Sequence, residues 1–293
     1  LALGLLLALW LAQPLRQLAN HMRRTSSAQL GAPIPNEGPT EVRQLAASFN
    51  AMSERLAAGE QLRRQLASDV AHELRSPVSV LRGHLEAIMD GVYPLDAEHL
   101  AVAYDQTLHL ARLVEDLRLL TQAESGRLPL ELAAVTPVTL VTEAVARFAP
   151  LAQDAGVALE SETNLGLPPV AADAGRIQQV FDNLLTNALR HTEEGGTIRI
   201  AAALAPQPAA PSSAPWAGVR FSVSNSGDLP PEDIEHLFDR FWRGDDAREA
   251  DSRGSGLGLA ITRQLVLRHG GVIGVEAGDG ATTFTVDLPA APQ

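Results

Sequence analysis

Three groups of residues in this 293-residue chain have the type and spacing to do chemistry. The first is His72 with Glu73 beside it, in SDVAHELRSPVSVL. An imidazole is a nucleophile near neutrality and a neighbouring carboxylate can take its proton, so the pair suits a phosphoryl acceptor. The second is Asn183, Asn187, Arg190 and His191, in FDNLLTNALRHT. A spacing of four puts the two amides on one helix face, where their carbonyl oxygens suit a hard cation that keeps phosphates in its shell. Arginine one turn on is a fork donor to phosphate oxygens. The third is Gly254, Gly256 and Gly258, in GSGLGLAI. Glycines let a backbone approach phosphates, and the N–H groups that open a helix supply the donors. Each group has an ordinary alternative: a surface histidine, two solvated amides, a flexible turn. Taken singly, His72 is more often the ordinary surface histidine, and the chemistry of the three groups together is consistent with nucleotide-dependent phosphoryl transfer.

The elements that must position these groups follow from periodicity. Leu66, Val70, Leu74, Val78, Leu81, Leu85 and Ile88 form one stripe of an amphipathic helix over 62–92. At 100° per residue His72 lies about 160° from Val70 and Leu74, so it faces away from that stripe with Ser76, Ser79 and Gly83. Pro77 removes a donor and crowds the carbonyl of Glu73, which should loosen the helix one turn from the histidine. Tyr93-Pro94 ends the helix and Asp96 can cap the next, whose apolar positions are Leu100, Ala103, Thr107, Leu110, Val114, Leu117 and Thr121. That helix should stop at Ser125-Gly126. A hairpin of two such helices has too little core alone, whereas two copies make a four-helix bundle. From Pro137 the pattern becomes mixed: helices 137–153, 173–191, 231–241 and 257–269, and strands 157–162, 197–204, 218–225, 272–277 and 282–288. Helices should cover one face of the resulting sheet. Residues 205–216 read as a tolerated loop insertion and 243–256 as a lid.

Composition removes several functions. The net charge is −12 and all 23 basic residues are Arg, a poor basis for direct nucleic-acid binding. The absence of Cys excludes disulfides, thiolate metal sites and a cysteine nucleophile. Residues 1–12, LALGLLLALWLA, carry no charge but are shorter than the roughly 20 residues a membrane span needs. With Trp10 at the interface and Arg16, Arg23 and Arg24 behind it, they read as the end of a membrane-spanning helix. A signal-peptide remnant or a buried core helix are the alternatives; no basic flank precedes the run. Helical spacing over 14–30, a Pro/Gly-rich connector at 31–39, and Val42, Leu45, Phe49, Met52 and Leu56 in heptad spacing complete the N-terminal part.

HELRSP resembles the H box of sensor histidine kinases, which reads HELR(S/T)P. FDNLLTNALRHT at 181–192 resembles their N box. FDRFWRGD at 238–245, with Phe238 and Phe241, resembles the F box, and GSGLGLAI at 254–261 the second glycine box. The four boxes stand in the family's order. Helix, connector and helix over 13–61, with TEVRQLAASFNAM in the second helix, resemble the HAMP signal-relay module. The resemblance implies a multidomain α and α+β fold: a transmembrane helix end at 1–12, a HAMP-like helical hairpin at 13–61, a phosphoacceptor hairpin at 62–127 that dimerises as a four-helix bundle, and at 137–289 an α/β sandwich ATP-binding domain of the gyrase, chaperone and histidine kinase type.

It further implies ATP and Mg²⁺ as cofactors, with Nε2 or Nδ1 of His72 as acceptor and Glu73 as general base. Asn187 would be the protein ligand to Mg²⁺, Asn183 its neighbour at the phosphates, and Arg190, His191, Phe238, Phe241, Gly254, Gly256 and Gly258 would also hold nucleotide. Partners implied are a second copy of the chain, the receiver domain of a response regulator, and the cytoplasmic (inner) membrane with residues 13–293 on the cytoplasmic side. One box departs from the pattern. The first glycine box, usually DxGxG, is here Asn225-Ser226-Gly227-Asp228-Leu229. Asn225 accepts a hydrogen bond without a charge to strengthen it, while Gly227 is retained. A nucleotide-impaired scaffold or a phosphatase-dominant receptor is therefore the alternative function, with the Ser76 hydroxyl in the phosphatase position. An ATPase of the gyrase and chaperone type is disfavoured, because Asn183 stands where those enzymes carry a glutamate base.

Overall fold

The computed structural model describes residues 40–206, 218–227, 229–244, 255–278 and 280–292. The expected membrane-helix end, the first HAMP-like helix with its connector, most of the 205–216 loop and most of the 243–256 lid, Gly254 included, lie outside them. Among the described residues no helix is long and apolar enough to cross a membrane.

Contacts divide the chain into two units that meet in sequence at Ser79 and Val80. All described residues of the first belong to one helix, α1 (Thr40–Met89), which passes residue 61 without interruption. Pro77, buried, sits inside α1 and does not end it; the loosening expected there leaves the helix continuous.

The second unit starts with the end of α1. The amides of Val92 and Tyr93 both donate to Ala87 O and close that helix. Asp96 then caps α2 (Ala97–Glu124), its carboxylate accepting from His99 N at 3.0 Å and lying 2.8 Å from His99 Nδ1. Leu113, Leu119, Leu120 and Ala123 are the buried apolar positions in the second half of α2. The stripe expected from spacing is a different one, and its Leu100 and Val114 remain exposed.

Then come β1 (Ala133–Val135), α3 (Pro137–Asp154), β2 (Ala158–Thr163), β3 (Val170–Ala172), α4 (Ala174–Arg190), β4 (Thr197–Leu204), β5 (Gly218–Ser226), α5 (Pro231–Ile234), α6 (Gly258–Arg268), β6 (Val272–Gly278) and β7 (Ala281–Pro289). Five strands form a sheet in the order β2-β4-β5-β7-β6, parallel only between β2 and β4. One face of it is apolar. Ile198 and Ile200, Val219, Phe221 and Val223, and Phe284, Val286 and Leu288 alternate with polar or half-exposed neighbours and are buried, the period-2 pattern of a sheet covered on one side. Helices α3, α4 and α6 provide the cover. The stripe Ile177, Val180, Phe181, Leu184, Leu185 and Ala188 of α4 is buried, with the Phe181 ring 5.4 Å from Phe221.

Two expectations need correction. Residues 231–241 form a single helical turn, α5, followed by irregular turns up to Phe241. Only Leu237 of this stretch is buried, too little to pin a longer helix. β1 and β3 were not expected; they pair antiparallel as a separate two-stranded sheet, Val135 opposite Val170. Alanine-rich strands of three residues carry no readable alternation.

Candidate functional site

On α1, His72 is exposed, as are Ser76 and Ser79, while Glu73 is half-buried. The histidine therefore presents its ring to solvent on the face that helical spacing assigns to it.

Eight of the other candidates meet at a cavity of about 370 Å³. It lies where the polar stripe of α4 meets the start of α6 and the ends of β5 and β7. Asn183, Thr186, Asn187 and Arg190 recur at three and four residues on α4 and all line the cavity, opposite the stripe that enters the core. Asn225 is in phase with Val219, Phe221 and Val223, so the β5 pleat directs it to the core side, where it is only 4% exposed. Its register partner on β7 is Thr282, also buried, whose hydroxyl donates to Gly227 O at 2.9 Å. Gly227 has φ +147 and lies so close to α4 that a Cβ would come within 2.7 Å of His191 O. Gly256 is as constrained: with φ +64, its Cβ would meet Phe241 Cα at 2.7 Å. A side chain at either position would push β5 from α4, or the glycine box from the F-box segment.

Electrostatically the cavity is mixed. Arg190, Arg112 and Arg243 line it with Asp116 and Asp233, while Leu237, Trp242 and Phe284 give it apolar wall. Burial raises the pKa of Asp116 from its usual carboxylate value, partly offset by the Ser255 hydroxyl that donates to it at 3.2 Å. His191 is held below the ordinary imidazole value by desolvation and then by Arg190.

Of the residues expected to hold nucleotide, Asn183, Asn187, Arg190, His191, Asn225, Gly227, Gly256 and Gly258 line this one cavity. Asn183 also braces two helices, because its Nδ2 donates to Gly258 O at 3.0 Å and to Thr262 Oγ1 at 3.2 Å, tying α4 to α6. Phe238 and Phe241 are not in the wall. Phe238 packs edge-on to Phe284 with the Arg263 guanidinium 5.9 Å above it. Phe241, at φ +60, donates its amide to Gly256 O at 2.9 Å, so it anchors the box through its backbone. Sequence reasoning missed Thr282 and four wall residues from α2: His109, Arg112, Leu113 and Asp116. Thr282 was signalled by its strand pairing with Asn225, which single-sequence reading does not supply; the α2 residues had no local signal.

Comparison with known proteins adds to this geometry. Residues 6–58 match a HAMP domain, 62–126 a His Kinase A (phospho-acceptor) domain, and 172–292 a histidine kinase-, DNA gyrase B- and HSP90-like ATPase. The chain is 33% identical over 289 residues to the signal transduction histidine-protein kinase BaeS of Escherichia coli K12, covering 97% of itself and 59% of BaeS. It is 35% identical over 272 residues to the probable sensor histidine kinase TcrY of Mycobacterium tuberculosis, covering 88% of itself and 54% of TcrY. The chain thus spans less than two thirds of the length of these relatives. Among solved structures, the histidine kinase AdeS of Acinetobacter baumannii superposes with a TM-score of 0.62 at 26% identity, over 75% of this chain and 98% of that one. The histidine kinase ThkA, in complex with the response regulator protein TrrA, gives 0.61 at 25% identity, over 87% and 69%.

Proposed function

Because this chain belongs to the sensor histidine kinases of two-component systems, we propose that it transfers the γ-phosphoryl group of ATP to His72 and passes it to an aspartate of a response regulator. The observation that carries the reading is the cavity, where three neutral amides, an arginine and two glycine turns converge from α4, the end of β5 and the start of α6. Its size falls among small-molecule sites, roughly 300–1,000 Å³.

The residues present fit ATP with Mg²⁺. Asn225, buried on the core face and flanked by Thr282, offers an amide oxygen to the adenine amino group. Asn187 would offer its amide oxygen to the metal, and Arg190 with the backbone amides around Gly256 and Gly258, all in the cavity wall, would hold phosphate oxygens. Asn183 holds the start of α6 in place while lining the same wall. Mg²⁺, when bound, neutralises phosphate charge. At α1, one ring nitrogen of exposed His72 gives its lone pair to the γ-phosphorus as the bond to the bridging oxygen breaks and ADP leaves. The proton on the other nitrogen passes to Glu73. Ser76, one turn further on the exposed face, orients a water for the phosphatase reaction, in which the water attacks the phosphorus of the regulator's phosphoaspartate, the acyl phosphate bond breaks and inorganic phosphate leaves. Neutral Asn183 in the base position argues against simple ATP hydrolysis.

The exposed apolar positions of the hairpin, Leu100 and Val114 among them, support a homodimer built through α1 and α2. The uncharged run 1–12 supports anchorage in the cytoplasmic membrane, with residues 13–293 on its cytoplasmic side. ThkA's complex with TrrA supports a receiver domain as partner. Incubation with radiolabelled ATP tests the reading. Acid-labile, base-stable label is expected on the wild type and absent from His72→Gln; free phosphate without protein label would instead indicate an ATPase.

A further inference from the structure

The two helices that carry the cavity's amides and glycines are tied at two places. Next to the cavity, Asn183 bonds Gly258 and Thr262. At the far end, buried His269 caps α6 and reaches the start of α4: Asp173 N donates to its Nε2 at 3.1 Å, and its Nδ1 stands 2.7 Å from Leu265 O. A backbone N–H only donates and a carbonyl only accepts. The ring is therefore neutral with its proton on Nδ1, the one form that satisfies both partners. Asp173 and Asn183 on α4 meet His269 and Gly258–Thr262 on α6, so the helices run antiparallel and the two ties set their register.

We infer that His269 is a positioning residue for the nucleotide cavity, holding α4 against α6 through this single tautomer, and that protonating it weakens nucleotide binding. A proton on Nε2 would face the Asp173 N–H donor to donor. Other charges do little to stabilise that proton. The Asp173 carboxylate is engaged by the amides of Glu131 and Arg176. Arg268 turns to the carbonyls of Gly126 and Leu128, and the Asp287 carboxylate is held by Arg220. Burial outweighs the Leu265 bond and the Asp173 charge and lowers the imidazole pKa. Since the unfolded chain then binds the proton more readily, the tie contributes fully above the ordinary histidine pKa and is lost as pH falls below it toward the folded value.

The functional readout rests on the nucleotide reading, while the tie itself can be read without nucleotide. In the full chain, imidazole ¹⁵N shifts at pH 7.5 should show His269 protonated at Nδ1, and Asp173 amide exchange should accelerate on acidification beyond its intrinsic pH dependence. A fluorescent ATP analogue should bind His269→Gln about as tightly as wild type at pH 8, because the amide can make both bonds without titrating. Between pH 8 and 5.5 the wild type should lose roughly five- to tenfold more affinity than His269→Gln, as expected for the loss of the one bond from Asp173 N, and His269→Ala, which lacks both bonds, should be weaker throughout. Parallel loss in wild type and His269→Gln, or an Nε2–H tautomer, would overturn the inference. Wild type that binds no nucleotide at any pH would overturn the nucleotide reading together with its extension, while the ring shifts still report whether the tie exists. If His269→Gln does not fold, the wild-type ring titration against the nucleotide titration decides: midpoints that differ refute the link.

Discussion

The helical hairpin and the sheet domain use similar apolar residues to opposite ends. In the sheet domain Ile198, Ile200, Phe221, Val286 and Leu288 are all but sealed within one chain. Along α2, Leu100 remains 48% exposed, Tyr104 63% and Val114 56%. The difference lies in architecture. A sheet with three helices on one face closes its own core, whereas two long helices present stripes that only further helices can cover. The sheet domain thus closes its core within one chain, whereas α2 leaves apolar positions uncovered.

That contrast can be broken at several points. Phe221→Ala should cost the sheet domain about 3–5 kcal/mol; in calorimetry its transition should fall by the same amount at every protein concentration, and a concentration-dependent shift would mean that this core is shared between chains. Asn187→Ala should cut His72 labelling roughly 100-fold, the size of loss when one electrostatic donor leaves a reacting centre, and leave the melting of both regions within a degree or two. Val114→Asp should raise the dimer dissociation constant at least about tenfold in sedimentation, the scale on which a central interface side chain matters, with the sheet-domain transition unmoved; an unchanged dimer would remove α2's exposed stripe from the interface. The smallest effect belongs to Asn225→Asp. A charged acceptor makes the stronger hydrogen bond, so labelling should stay equal or rise up to about threefold, and a sharp fall would show that Asn225 does not face the adenine.

Much of the candidate site was legible because its boxes resemble those of sensor histidine kinases, and local periodicity agrees with where they fall. The amides of α4 fall opposite its apolar stripe, and Asn225 falls in phase with the core residues of β5. The Asp96 cap and the Gly126 stop could likewise be read from residue type. What escaped depends on partners distant in sequence. Phe238 and Phe241 stand in a recognisable box, yet the fold turns one against Phe284 and uses the other's backbone to hold Gly256. Asp116 reads as a surface residue of a hairpin helix until Ser255, 139 positions later, is brought beside it. Helix 231–241 failed for the complementary reason: local propensity favoured it, but only Leu237 found a core to enter.

The sequence by itself determined the apolar face of α4 and of the central strands, the cap at Asp96 and the stop at Gly126, and which residue types could handle phosphate, since all of these follow from spacing within one turn or one pleat. Only the tertiary structure decided that Thr282 stands beside Asn225, that α2 supplies a wall of the cavity, and that His269 is confined to one tautomer. These outcomes depend on strand register and on helices meeting across the fold, and such pairings leave no periodic trace in the chain that makes them.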